Sequence, residues 1–188
     1  MQMQPPRMLE PPCTPAAAAA LESEIDQCGS RDHVVRLAVH LARAYAESAA
    51  IFCVRHDLIE GVVGEGFDAH VAATVIPVDA DSLFGRVAAT GKMYRGSPPA
   101  EGLGLRLLAA LGRDQVREIA ILPVTIRGRV VTMLYADNGP EVLGDAAIAA
   151  LGAVCIRISR SYARLILQRK ASEVRREAPA PLGSLLRG

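Results

Sequence analysis

Apolar positions recur at three- and four-residue steps near the start and near the end of the chain, and they alternate or run together in between. Thr14-Pro15 has the order of an N-cap followed by the proline tolerated at the first helical position, and Leu21, Ile25 and Cys28 share one face, which predicts a first helix to about Cys28. Gly29-Ser30 breaks and re-caps the chain, and Val34, Ala38, Leu41 and Tyr45 mark a second, amphipathic helix. From Ala50 the period changes: AIFCVR, a His56-Asp57 turn and LIEGVVG form a hairpin. A short helix is predicted from Phe67 to Ala73, then a brief strand in TVIPV whose Pro77 suits a sheet edge. Asp81 is the predicted cap of a helix that carries Leu83, Phe84 and Val87 and stops at Gly91; Met93 to Arg95 forms a short strand and Ser97-Pro98-Pro99 a loop. Leu103, Leu107, Leu108 and Leu111 define a further helix ending at Gly112.

The strongest signal is Ile119 to Gly139, two runs of β-branched and long aliphatic residues that flank Arg127-Gly128 and end in Asp137-Asn138-Gly139. Both parities are apolar, which predicts central strands covered on both faces. From about Glu141, the positions Ile148, Leu151, Cys155, Ile158, Tyr162 and Leu165 alternate steps of three and four, the seam of a helix facing another helix. Helices before, between and after strands indicate an antiparallel α+β sandwich. The division is a Pro-rich, disordered lead-in over 1–13, one domain over 14–172 and a flexible tail over 173–188.

Composition narrows the function. The 188 residues are 51% hydrophobic, much of it Ala, Val and Leu, with 4% aromatics and no Trp, which disfavours base stacking. Charge is nearly balanced, 21 basic against 20 acidic residues, so neither nucleic acid nor a membrane is implied. No apolar run reaches the length of a membrane span and no signal peptide is visible, so the expectation is a cytoplasmic protein. Cys13, Cys28, Cys53 and Cys155 are widely spaced and read as free thiols, against a zinc site. His33 and His40 stand two helical turns apart, too far to share a metal without help, so neither metal nor cofactor is expected. Gly64-Glu65-Gly66 and Gly102-Leu103-Gly104 begin like phosphate loops but complete no fingerprint.

Three stretches in order, IFCVRHDLIEGVVGEG (51–66), SLFGRVAATGKMYR (82–95) and ILPVTIRGRVVTMLYADN (121–138), give the chain its resemblance to a GAF domain, covering about residues 14–172. The middle stretch resembles the family's short helix ending in Thr-Gly before an edge strand. The last resembles its hairpin of apolar-Pro-apolar, Gly at the turn and apolar-Tyr-Ala-Asp. The resemblance implies a GAF-like antiparallel sheet of five or six strands with the N- and C-terminal helices packed on one face, and a ligand cavity on the other lined from Phe67 to Arg95. It also implies a sensory or regulatory module, often dimeric through its terminal helices, rather than an enzyme.

On that mapping the ligand pocket draws on Phe67, His70, Phe84, Arg86, Tyr94 and Arg95, with the arginines and tyrosine suited to an anionic or aromatic ligand. Surface ion pairing is the competing role of each arginine. The dimer helices carry Val34, Leu41, Tyr45, Ile148, Leu151, Cys155, Ile158, Tyr162 and Leu165, in a seam that packing inside the domain also draws on. Arg157, Arg160 and Arg164 form a basic stripe read as a solvated flank. The segment from Phe67 to Leu111 lacks the Cys of bilin-binding members and the thiols of the family's sulfoxide reductase, and the cyclic-nucleotide pattern is missing. The expected function is a non-catalytic signalling domain that binds a small ligand or an unknown partner protein and homodimerises. A degenerate scaffold whose cavity is filled by Leu83, Phe84, Leu103 and Leu107 is the alternative, and a thiol-dependent reductase a third.

Overall fold

The computed structural model describes residues 14–79, 81–113 and 115–177; the lead-in 1–13 and residues 178–188 of the tail lie outside them. Two short helices open the fold. Helix α1 is Pro15–Gln27, with the Thr14 side chain accepting from the Ala17 N–H, and α2 is Arg31–Ala42, with Ser30 accepting from the His33 N–H. Each cap satisfies one of the N–H groups a helix start leaves without a partner. Strands β1 (Ser48–Arg55) and β2 (Leu58–Glu65) form a hairpin whose turn holds His56 at φ 53°. A 3₁₀ turn at Val71–Ala73 precedes β3 (Val75–Pro77), then come α3 (Leu83–Thr90), β4 (Tyr94–Gly96) and α4 (Gly102–Ala110). Strands β5 (Ile119–Ile126) and β6 (Arg129–Asp137) flank Arg127-Gly128, both at positive φ (51° and 77°). That geometry belongs to a primed two-residue turn whose twist matches the strands. Helix α5 (Asp145–Glu177) closes the described chain.

The six strands make one antiparallel sheet in the order β3-β2-β1-β6-β5-β4. Both edges are three-residue strands, and Pro77 sits in one of them, where a missing N–H disturbs no ladder. Pro123 lies inside β5 on the same logic: β4 pairs only with Ile119 to Ile121, so Pro123 needs no partner on that side. The residues of β5 beyond β4 meet α5 instead, where the Leu122 carbonyl accepts from the Cys155 Sγ (3.9 Å) and the Thr125 carbonyl from the Ser159 Oγ (2.9 Å).

Strand alternation splits the core in two. Ala49 and Ile51, Ala120, Leu122 and Val124, and Leu134 and Ala136 face α1, α2 and α5. Ala50 and Phe52, Ile119 and Ile121, and Met133 and Tyr135 face α3, α4 and the 3₁₀ turn. Gly61 permits that second layer, because a Cβ there would lie 2.0 Å from the Val71 carbonyl oxygen.

Four local expectations are corrected. Ser82, not Asp81, caps α3, since its Oγ reaches the Gly85 N–H at 3.0 Å. The helix expected from Phe67 to Ala73 shrinks to one 3₁₀ turn, because Gly66 at φ 83° turns the chain and leaves Phe67 to pack back on the sheet. The strand at Met93 starts one residue later. The last helix starts at Asp145 rather than about Glu141, and it runs to Glu177.

Candidate functional site

The face under α3 and α4 is where the sequence places a ligand. Phe84, from the apolar side of α3, lies against Phe52 (ring centroids 4.7 Å) and stacks near-parallel on Tyr135 (6.3 Å, 13°), while Phe67 meets Tyr135 at a tilt of 49° and 6.0 Å. Leu107, Leu108 and Leu111 of the α4 segment close over the same layer, with Leu83 and Leu103 partly buried beside them. Two predicted pocket residues, Phe67 and Phe84, are thus packing members of an apolar layer.

The other four diverge. Tyr94 packs its ring on this layer and its hydroxyl donates to the Ser97 carbonyl at 2.7 Å. Arg95, the next residue on β4, points to the opposite face, as strand alternation requires. There its Nε reaches Glu118 (3.1 Å), its Nη1 reaches Asp145 (2.5 Å) and its Nη2 donates to the Leu143 carbonyl. Those bonds, the Asp145 one first, hold its pKa above the ordinary value and tie the sheet edge to the start of α5. Arg86 and His70 are exposed, on the outer side of α3 and at the entry to the 3₁₀ turn. The six residues therefore do not converge on one cavity.

At one end of the sheet lies a charged cluster that periodicity did not reveal. Asp137 is fully buried, accepts from Nε (3.2 Å) and Nη2 of Arg113 and from the Gly139 N–H (2.8 Å), and ends the central hairpin. Glu47 stands 3.5 Å from the Arg113 Nη1. Burial opposes the charge on Arg113, but the bonds to Asp137 outweigh it and raise its pKa. Beside this pair, the Tyr135 hydroxyl is buried without a hydrogen-bond partner among the described residues, and burial followed by the Asp137 charge pushes its pKa well above 10.0. An Arg in the α4–β5 link and an Asp at the strand end were the only signals available.

All nine residues expected at a dimer contact belong to the core beneath α1, α2 and α5. Val34, Leu41, Leu151, Cys155, Ile158 and Tyr162 are buried in it, and Tyr45, Ile148 and Leu165 pack against it. The inner seam of α5 is filled within the protomer because α2, α1 and β5 all lie along it. Two of the three basic residues also turn inward: Arg157 bonds Glu22 and Asp26, and the Arg164 Nη2 donates to the Cys28 carbonyl at 2.6 Å, so they clamp α1 rather than form a solvated flank. Arg160 is exposed. Among the described residues α5 is also the one helix long and apolar enough to cross a membrane by length and composition.

The three described cysteines are free and face the helix layer. Burial raises the pKa of each, that of Cys155 to about 12, which keeps the thiols protonated and poorly nucleophilic. His33 and His40 each meet a single carboxylate, Glu24 (3.6 Å) and Glu65 (3.3 Å), and no cluster suited to a metal occurs among the described residues.

No protein-family model and no curated protein matches the sequence. Solved structures do match in shape. A methyl-accepting chemotaxis protein fragment, residues 122 to 287, superposes with a TM-score of 0.69 at 18% identity, covering 79% of this chain and 98% of that one. The GAF domain of an Acinetobacter phosphoenolpyruvate-protein phosphotransferase gives 0.62 at 15% identity, with 82% and 92% covered. The free methionine-R-sulfoxide reductase of Neisseria meningitidis, solved with its substrate, gives 0.63 at 18%, with 82% and 89% covered. With six antiparallel strands, terminal helices on one face and this breadth of superposition, the chain has the GAF-like α+β fold.

Proposed function

We propose that the chain is a non-catalytic regulatory module of a cytoplasmic signalling system, which homodimerises through the outer side of α5 and passes a signal to a partner protein. One observation carries this reading. Ala149, Ala153, Ile156, Arg160, Ala163, Leu167, Lys170 and Val174 follow steps of four and three, and every one is exposed. This is a second heptad seam on the helix, opposite the filled one, and it leaves Ile156 at 56%, Leu167 at 63% and Val174 at 68% exposure. Solvent is a poor neighbour for such a stripe and a second α5 is a good one.

Sedimentation equilibrium tests it: the expected species is a dimer of the 19.9 kDa chain that Leu167→Glu converts to monomer. A monomer across the micromolar range would refute the dimer. The fold is shared with signalling proteins and also with a sulfoxide reductase. The protonated thiols, lying on the helix side, favour the regulatory reading over thiol chemistry. The filled layer of Phe52, Phe84 and Tyr135 favours, within that reading, a scaffold for protein contacts on the α3 and α4 side.

A further inference from the structure

The helix-covered face of the sheet has a cavity of its own. Along the two central strands the helix-facing positions pair as Ala49 with Ala136, Ile51 with Leu134 and Cys53 with Thr132. The last step replaces aliphatic bulk by two small polar side chains, Cys53 Sγ and Thr132 Oγ1, 3.6 Å apart. A cavity of about 190 Å³ opens beside them, with Val35, Val62 and Val131 among its walls. Tyr162 enters from α5, and it is buried close enough to Cys53 and Thr132 for both to affect its ionisation.

The mouth is charged. Arg31 sets its guanidinium 5.2 Å above the Tyr162 ring and forms no ion pair among the described residues. Arg55, also at the mouth, is paired with Glu60 at 3.4 Å. Asp32 lies there too. Arg31, without an ion pair among the described residues, and the first turn of α2 both put positive charge at the mouth, and Asp32 offsets part of it, so a monoanion is favoured over a dianion. Apolar walls, buried hydroxyl donors and one unpaired guanidinium are the usual composition of a small-ligand site. The volume falls below the ~300 Å³ at which sites for drug-sized ligands begin, so a nucleotide or a tetrapyrrole does not fit.

We propose that this cavity binds a short aliphatic monocarboxylate, with its carboxylate against Arg31 and the hydroxyls of Thr132 and Tyr162, and its hydrocarbon part between Val35, Val62 and Val131. The site lies on the sheet face away from α3 and α4. It goes beyond the regulatory dimer, which is decided by mass, whereas this site is read at Cys53; either can fail alone.

Iodoacetate and iodoacetamide test it, since they carry the same electrophile on an anion and on a neutral amide. With either reagent the Cys53 sulfur, its proton lost to solvent, displaces iodide from the CH₂ carbon and forms a thioether. Rates at Cys53 are measured by peptide mass spectrometry on the folded chain and on the urea-unfolded chain. The expected ratio of iodoacetate to iodoacetamide rates is roughly tenfold higher in the folded chain, the size of one charge-assisted hydrogen bond, and isobutyrate slows both reagents. Arg31→Gln removes the preference, while Arg36→Gln, at an exposed position of the same helix, leaves it. Equal ratios in the folded and unfolded chain overturn the proposal. So does an equal loss in the two arginine variants, which would assign the effect to general helix charge, or a Cys53 that neither reagent reaches in the folded state.

Discussion

Replacing Arg113 by Met tests whether the charged cluster at the sheet end is a structural tie. The substitution keeps most of the aliphatic stem, so the loss is chiefly electrostatic. The Arg113 side chain is 12% exposed and Asp137 is fully buried, so water screens the pair little. Without Arg113, the Asp137 carboxylate keeps only the Gly139 N–H among the partners described. Removing one partner of a buried pair costs about 3–5 kcal/mol. For a chain of this size that is a fall in melting temperature of roughly 6–20 °C. Glu47 adds little to the figure, being one-third exposed and at 3.5 Å. Urea unfolding followed by far-UV circular dichroism measures the loss, and a cycle with Asp137→Asn isolates the pairwise part. The double variant is expected to lose about 1–3 kcal/mol less than the sum of the singles. A loss below about 1 kcal/mol for Arg113→Met, or additivity within about 0.5 kcal/mol, refutes the account.

Two further predictions concern buried groups that carry no charge at neutral pH. Tyr135→Phe removes a buried hydroxyl that has no hydrogen-bond partner among the described residues and keeps the ring contacts with Phe67 and Phe84, so it is expected to raise stability by about 1 kcal/mol in urea unfolding; a loss would show that the hydroxyl bonds the nearby Asp137 in solution. Alkaline pH is expected to weaken the fold. Folding raises Cys155 from 9.0 and Tyr162 from 10.0 to about 12, so above pH 9 the unfolded chain gives up protons that the folded chain retains. Stability should be complete below pH 9 and decline towards pH 12, with Cys155→Ala removing part of the slope; a flat urea midpoint between pH 8 and 11 would contradict it.

The fold was legible in the sequence where one side chain or one turn decides the outcome. Thr14 and Ser30 fix helix starts, Pro77 marks an edge strand, and Arg127-Gly128 closes the central hairpin. Asp81 is a good cap by residue type, but so is its neighbour Ser82, and only the approach of the chain selects between them. The dispersal of the six residues placed at a ligand pocket has a different cause. Tyr94 and Arg95 are neighbours on a strand and so belong to opposite faces, a constraint present in the sequence once a strand is assigned there. The inner seam of α5 was legible, and so was part of its covering by the domain itself; α1, α2 and β5 fill it. Apolar spacing shows that a helix face is covered and is silent on whether the same chain or another covers it. The pair Arg113 and Asp137 and the cavity at Cys53 and Thr132 depend on contacts between residues far apart in the chain, which no local pattern encodes.

The way α5 lies against the end of β5 bears on what this protein does at high concentration. A strand with bare carbonyls and N–H groups templates the addition of a strand from another molecule, the first step towards sheet-based aggregates. Beyond the short β4, strand β5 offers Pro123 with no N–H to give, and the Leu122 and Thr125 carbonyls already accept from Cys155 and Ser159. Helix α5 thus shields a vulnerable edge as well as roofing the core. Loosening its grip there would expose the carbonyls of an apolar strand to neighbouring molecules.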